Sequence, residues 1–187
     1  MKSVLISIQP YWTFLIIAKL MGWEINRNKT IEVRKNFPKA EDWNKLVKIY
    51  CSKDKNSFNL IPKEYQPLMQ KFLGKLIGEF VCDRMDKYVL TLCDGDNYHR
   101  IEDYYSPLRE ACLTQDEIVG YGNGKTLYGW HISDLKIYDK PKELSEFKKH
   151  CHSFGVCFKC EDNVYWGGKC DGGCIERPPQ SWCYVEE

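Results

Sequence analysis

The sequence predicts an α+β fold, a small closed or partly closed mixed β-barrel with short helices around it. Three observations carry that expectation. Apolar runs of strand length recur along the chain, with the alternation or the Val, Ile and Tyr content of half-buried strands. Helical patterns between them are few and short. Aromatic residues are abundant, with six Trp, twelve Tyr and eight Phe in 187 residues, which suits a compact β-rich core.

Taken in order, "SVLISI" (Ser3 to Ile8) reads as a buried strand. "QPYWTFLIIAKLMGW" follows as a helix with Pro10 in its first turn, where a missing N–H is tolerated. "EINRN" is a polar turn into "KTIEVRK", which alternates as a strand: Ile31 and Val33 point one way, Thr30, Glu32 and Arg34 the other. "KLVKIYCS" (Lys45 to Ser52) is a further core strand, and "KEYQPLMQKFLG" a helix. "KLIGEFVCDRM" and "KYVLTLCDG" read as two strands with a short polar connection, hence as a hairpin-like pair. Thr114, followed three residues on by Glu117 in "LTQDEIVGYG", is the pattern of a capping box opening a short helix. "TLYGWHIS" and "DLKIYD" are the last core strands. Within the first of them Trp130 and His131 fall on opposite faces, Trp130 toward the core and His131 toward the surface or a hydrogen bond. "PKELSEFKKH" reads as a last helix with a solvated charged face.

Lys and Arg number 27 against 26 for Asp and Glu, so a formal charge of +1 gives no bulk attraction to nucleic acid or to an anionic membrane. Any polyanion must be met by a local patch. The longest apolar run, Tyr11 to Trp23, is interrupted by Lys19 and falls short of the roughly 20 residues a bilayer requires. Gln9 and Pro10 interrupt the apolar N-terminus, and no small-residue cleavage pattern follows. The expectation is a cytoplasmic protein with no membrane partner, whose ten cysteines are thiols or metal ligands rather than disulfides.

Six of those ten cysteines follow His150. This composition change divides the chain into a core (1–149), a Cys-rich insertion (150–175) and a C-terminal segment returning to the core (176–187). "CFKC" supplies Cys157 and Cys160, and "CDGGC" supplies Cys170 and Cys174 behind a Gly-rich turn. Two such pairs can close a tetrahedral four-thiolate zinc site, whose role is structural: it orders a segment too short and polar to fold on apolar burial. The wider second pair leaves His150, Cys151, His152 and Cys183 as substitute ligands.

"VLISIQPYW", a helix and then "NKTIEVRK" together resemble the signature of the ASCH domains of the PUA-like superfamily: a short turn, Lys, Thr, a hydrophobic residue, Glu and Arg. "TLYGWHISDLKIYDKPKEL" is similar to the strand pair and Pro-containing turn that close such domains. "RPPQSWCYVEE" is similar to the endings of phage and gut-bacterial members. The resemblance spans residues 3–147 and that tail. It implies a PUA-like β-barrel with a cleft beside the motif strand, and RNA binding as the usual activity. Some small ASCH members are hydrolases that deacylate N4-acylcytidines, and others are ribonucleases. On the hydrolase pattern the Lys maps to Lys29, with Thr30 next to it and Glu110 near the acidic position. Glu32 stands where those hydrolases have their catalytic Thr.

Read from the residues themselves, Arg34 offers a planar fork for a phosphate or a base edge, and Glu32 an acceptor for an exocyclic amine. Lys29 has the parity of Ile31, so its charge joins theirs only if the strand begins after it. The plain alternative is an exposed Glu32–Arg34 pair, worth about 0–1 kcal/mol. Hydrolysis instead requires Lys29 as a base, its pKa lowered by burial or by Arg27 and Arg34, with Thr30 as nucleophile and Glu110 as carboxylate. For those last two, strand propensity and a surface position before a helix are the ordinary roles. Three functions follow: a cleft at Lys29, Thr30, Glu32 and Arg34 recognising RNA or a modified nucleotide; a hydrolase, either an N4-acylcytidine amidohydrolase or a ribonuclease; and a phage-type module binding a protein partner through the Cys-rich face.

Overall fold

Strand β1 (Ser3–Ile8) is buried along nearly its whole length because it runs inside the larger sheet, with neighbours on both sides. The structure, a computed structural model, describes residues 2–39, 44–92, 99–101, 106–149 and 174–186. After β1 come α1 (Pro10–Ile17), β2 (Ile31–Arg34), β3 (Leu46–Cys51), α2 (Lys55–Asn59) and α3 (Gln66–Gln70). These are followed by β4 (Lys75–Val81), β5 (Met85–Tyr88), β6 (Leu90–Leu92), β7 (His99–Ile101), α4 (Ser106–Ala111) and α5 (Gln115–Gly122). The chain closes with β8 (Leu127–His131), β9 (Ser133–Lys142), a 3-10 turn (Leu144–Glu146), β10 (Lys148–Lys149) and β11 (Trp182–Glu186).

A six-stranded sheet runs in the order β10-β11-β1-β3-β4-β9, and a three-stranded sheet in the order β2-β8-β5. β1 and β3 are parallel and need a crossover, which α1 and β2 occupy. Only Ile132 separates β8 in the small sheet from β9 in the large one, and residues 82–84 likewise carry β4 into β5. These corners fold both sheets around one core, in which Trp130, Phe80, Phe14, Ile6 and Ile49 are all at most 2% exposed. The mixed α+β expectation holds. Among the described residues no helix is long and apolar enough to cross a membrane.

Several elements differ from the expectation. α1 ends at Ile17, because residues 18–22 turn and Gly22 takes a φ of 68°, which ends the helical run. β4 and β5 do not form a hairpin: β4 pairs with β3 and β9, β5 with β8, so the short connection is a sheet corner. The last helix is absent. Pro141 lies inside β9, Leu144 and Phe147 insert into an apolar cluster with Leu5 and Val185, and Lys148 and Lys149 pair with Glu186 and Val185. Burial of two apolar side chains and an edge pairing outweigh helix propensity there. The capping box forms as read, with Thr114 accepting from the Glu117 N–H and Glu117 accepting from the Thr114 N–H. Trp130 is fully buried, and His131 bonds Asp86 at 2.7 Å.

Gly129 on β8 leaves the space that the Tyr88 ring fills: a Cβ there would run into the Tyr88 hydroxyl and ring. Gly129→Ala is therefore expected to destabilise the fold by about 1–3 kcal/mol, the usual cost of overpacking. Urea unfolding measures it, and an unchanged midpoint would mean that the ring has room to move.

Candidate functional site

The turn at residues 27–30 caps the end of α4. Three successive carbonyls there receive three donors from the turn: the Thr30 N–H reaches Glu110 O at 2.8 Å, Lys29 Nζ reaches Ala111 O at 2.8 Å, and Arg27 Nη2 reaches Cys112 O at 2.5 Å. Cys112 adopts a φ of 56°, which stops the helix and turns its carbonyl toward Arg27. Orphan carbonyls at a helix end need such partners. Because β2 begins only at Ile31, Lys29 escapes the strand's alternation, and its side chain swings to the Glu32 side.

Glu32 is the hub. Its Oε2 lies 3.4 Å from Lys29 Nζ and its Oε1 3.0 Å from Arg34 Nη2, while Arg34 also donates to Ser7 O at 2.6 Å. All three side chains are at least nine-tenths buried. This is not the exposed pair of the plain alternative. The Trp12 ring lies 5.2 Å from Lys29 Nζ, so a cation–π contact adds to the clamp. Burial pushes the Lys29 pKa down from its ordinary value, against the Glu32 charge, which pulls it up. Arg34 Nε is buried without a hydrogen-bond partner among the described residues, as is Ser52 Oγ.

Lys29, Glu32 and Arg34 form the floor of a cleft of about 660 Å3, walled by Trp12, Ser52, Tyr121 and the Pro178–Gln180 stretch. Thr30 and Glu110 are elsewhere. They line a separate groove of about 740 Å3 with Arg27, Asn28 and Arg109. The structure thus brings Lys29 together with Glu32 and Arg34 and sends Thr30 to the other side of the turn.

Of the cysteine positions, Cys157, Cys160 and Cys170 lie outside the described residues, as do His150, Cys151 and His152. Cys174 is exposed and bridges to Lys148. Cys183 lies beside β1, opposite Leu5, and its burial pushes the thiol pKa up to about 11. Among the described residues no cluster of His, Cys, Asp or Glu is placed to hold a metal ion.

Sequence reasoning did not single out Ser52, Tyr121 and Pro178–Gln180 as cleft residues. Tyr121 sits two turns beyond the Thr114 cap, on a helix the sequence did reveal. Its approach to Arg34 is a long-range contact with no local signature.

Glu32→Gln would leave two buried cations without their shared counter-charge. Removing one partner of a buried ion pair costs about 3–5 kcal/mol, and a loss of that size is expected here in chemical denaturation. A loss under about 1 kcal/mol would place the cluster in the class of exposed pairs.

Compared with known proteins, the sequence matches no family model and no curated protein. Its structure is similar to the crystal structure of ASCH from Zymomonas mobilis, with a TM-score of 0.53 at 15% identity over 98% of this chain and 87% of that one. It is similar to a Tyr→Phe variant of that protein at a TM-score of 0.50 and 16% identity, over 98% and 90% of the two chains. A Ser→Ala variant gives a TM-score of 0.50 and 16% identity, over 98% and 88%. At such identities it is the architecture that is shared: this chain has the fold of an ASCH-domain protein.

Proposed function

We propose that the cleft recognises a nucleotide, free and modified or within RNA, through the cation pair Lys29 and Arg34 that Glu32 holds at its floor. One observation carries this reading. Two buried cations share a single carboxylate, so the floor keeps a net positive charge inside a concave site of about 660 Å3, a size suited to a small ligand. Arg34 is the phosphate- or base-directed group, and Trp12 and Tyr121 supply apolar ring surface at the walls. The ASCH-type fold supports RNA as the partner class.

Hydrolysis is the second reading, favoured by the lowered Lys29 pKa. Against a base role, Lys29 Nζ directs its protons to Ala111 O and Glu32, and position 32 holds a carboxylate rather than a hydroxyl. Thr30 and Glu110 lie in the other groove, so a hydrolase on this floor would work through Lys29 with Glu32 as its carboxylate.

Titrating ribonucleoside monophosphates and N4-acetylcytidine against wild type and Arg34→Ala tests both readings. Binding is expected to weaken with rising salt and to drop at least tenfold in Arg34→Ala, since hydrogen bonds to charged groups contribute about 1.5–3 kcal/mol. Unchanged binding in that variant would remove the cleft reading. Turnover of N4-acetylcytidine, read by ultraviolet absorbance, would replace recognition with hydrolysis.

We also propose structural zinc held by Cys157, Cys160, Cys170 and Cys174. The exposed thiol of Cys174, beside the β10 edge, supports that reading, because it leaves one ligand facing outward at the base of the Cys-rich segment. Elemental analysis of protein purified without chelator is expected to give about one zinc per chain. Metal-free protein would sink it.

A further inference from the structure

Two aromatic side chains are markedly exposed among the described residues, Phe37 at 42% and Tyr121 at 41%. Tyr121 is part of the cleft wall. Phe37 leaves the motif strand three residues after Arg34 and packs on Tyr128, with ring centroids 4.5 Å apart and planes tilted by 51°. Tyr128 is the cross-strand partner of both Arg34 and Lys87, so the three share one sheet face in a row leading out of the cleft. Lys35 holds its ammonium 4.9 Å from the Tyr121 ring centroid.

This shelf is held in place. Asn36 accepts a hydrogen bond from Trp182 Nε1 at 2.8 Å, and Pro38 is buried, so both neighbours of Phe37 are anchored while its own ring faces solvent. Phe37 therefore presents part of a ring face to solvent from a fixed place on Tyr128. Rings interleaved with cations are what a single-stranded nucleic acid requires: faces for bases, and positive charge for the phosphates between them. A protein helix or strand would find alternating cations and only a narrow apolar strip.

We propose that Phe37, on its Tyr128 support, stacks the base that neighbours the nucleotide in the cleft, with Lys35 and Lys87 meeting the adjoining phosphates. The ligand is then a single-stranded RNA segment rather than a free nucleotide. The inference rests on the nucleotide reading of the cleft and extends it by at least one residue of the strand.

The test compares a mixed-sequence RNA hexamer with the four ribonucleoside monophosphates, on wild type, Phe37→Ala and Phe37→Trp. Wild type is expected to bind the hexamer at least tenfold more tightly than any monophosphate. Phe37→Ala is expected to lose about tenfold on the hexamer, the usual worth of one stacked base, and Phe37→Trp to restore it. Thermal melts of both variants that match wild type separate this from a folding defect. Equal hexamer affinity in wild type and Phe37→Ala, with monophosphates still bound, overturns the shelf and leaves the cleft reading standing. Absence of binding by hexamer and monophosphates alike overturns both.

Discussion

The carboxylate of Glu32 makes the rest of the site permissible. Each buried ion costs several kcal/mol in lost hydration, and Lys29 and Arg34 are two of the same sign within one side-chain length. A single anion between them converts mutual repulsion into a chain of attractions, which Ala111 O and Ser7 O then extend with hydrogen bonds. The backbone is arranged around this need. β2 is four residues long and buried throughout, so its polar face is a floor inside the molecule rather than a surface.

The same turn performs a second task. Residues 27–30 bring two cations and a backbone N–H to the last carbonyls of α4, the end of a helix where positive charge is favourable. Lys29 therefore joins three features at once: the helix end, the carboxylate hub and the Trp12 ring. Few of its donors remain uncommitted, which holds its side chain in one place. Arg34, with Nε lacking a protein partner among the described residues, is the less saturated of the two.

How much of this was legible follows from range. The alternation of Ile31 and Val33 against Glu32 and Arg34 is a property of adjacent residues, and it identified the face whose Glu32 and Arg34 line the cleft. The start of β2 is a boundary, set by the capping of α4 some eighty residues away, and it decided where Lys29 and Thr30 point. Parity alone grouped Thr30 with Glu32; the turn separates them. The missing helix after Pro141 has the same origin, since β11 offers Lys148 and Lys149 an edge that their local sequence does not announce. The capping box at Thr114, with donor and acceptor three residues apart, needed no distant partner and formed as read.

Near-neutral net charge and a cationic floor are compatible because the fold localises the imbalance. Lys29 and Arg34 carry two positive charges against the one of Glu32, whereas a surface lysine is commonly solvated or matched nearby. In a low-dielectric cleft one uncompensated charge acts more strongly than several in open solvent. The wall is not uniformly cationic, for Asp54 and Glu117 also line the cleft, and both carboxylates are engaged in capping helices α2 and α5. An anionic ligand entering there meets acidic groups already bound to backbone N–H donors at the wall and attraction at the floor. Any group that is to meet Arg34 must therefore reach inward past those walls to the floor.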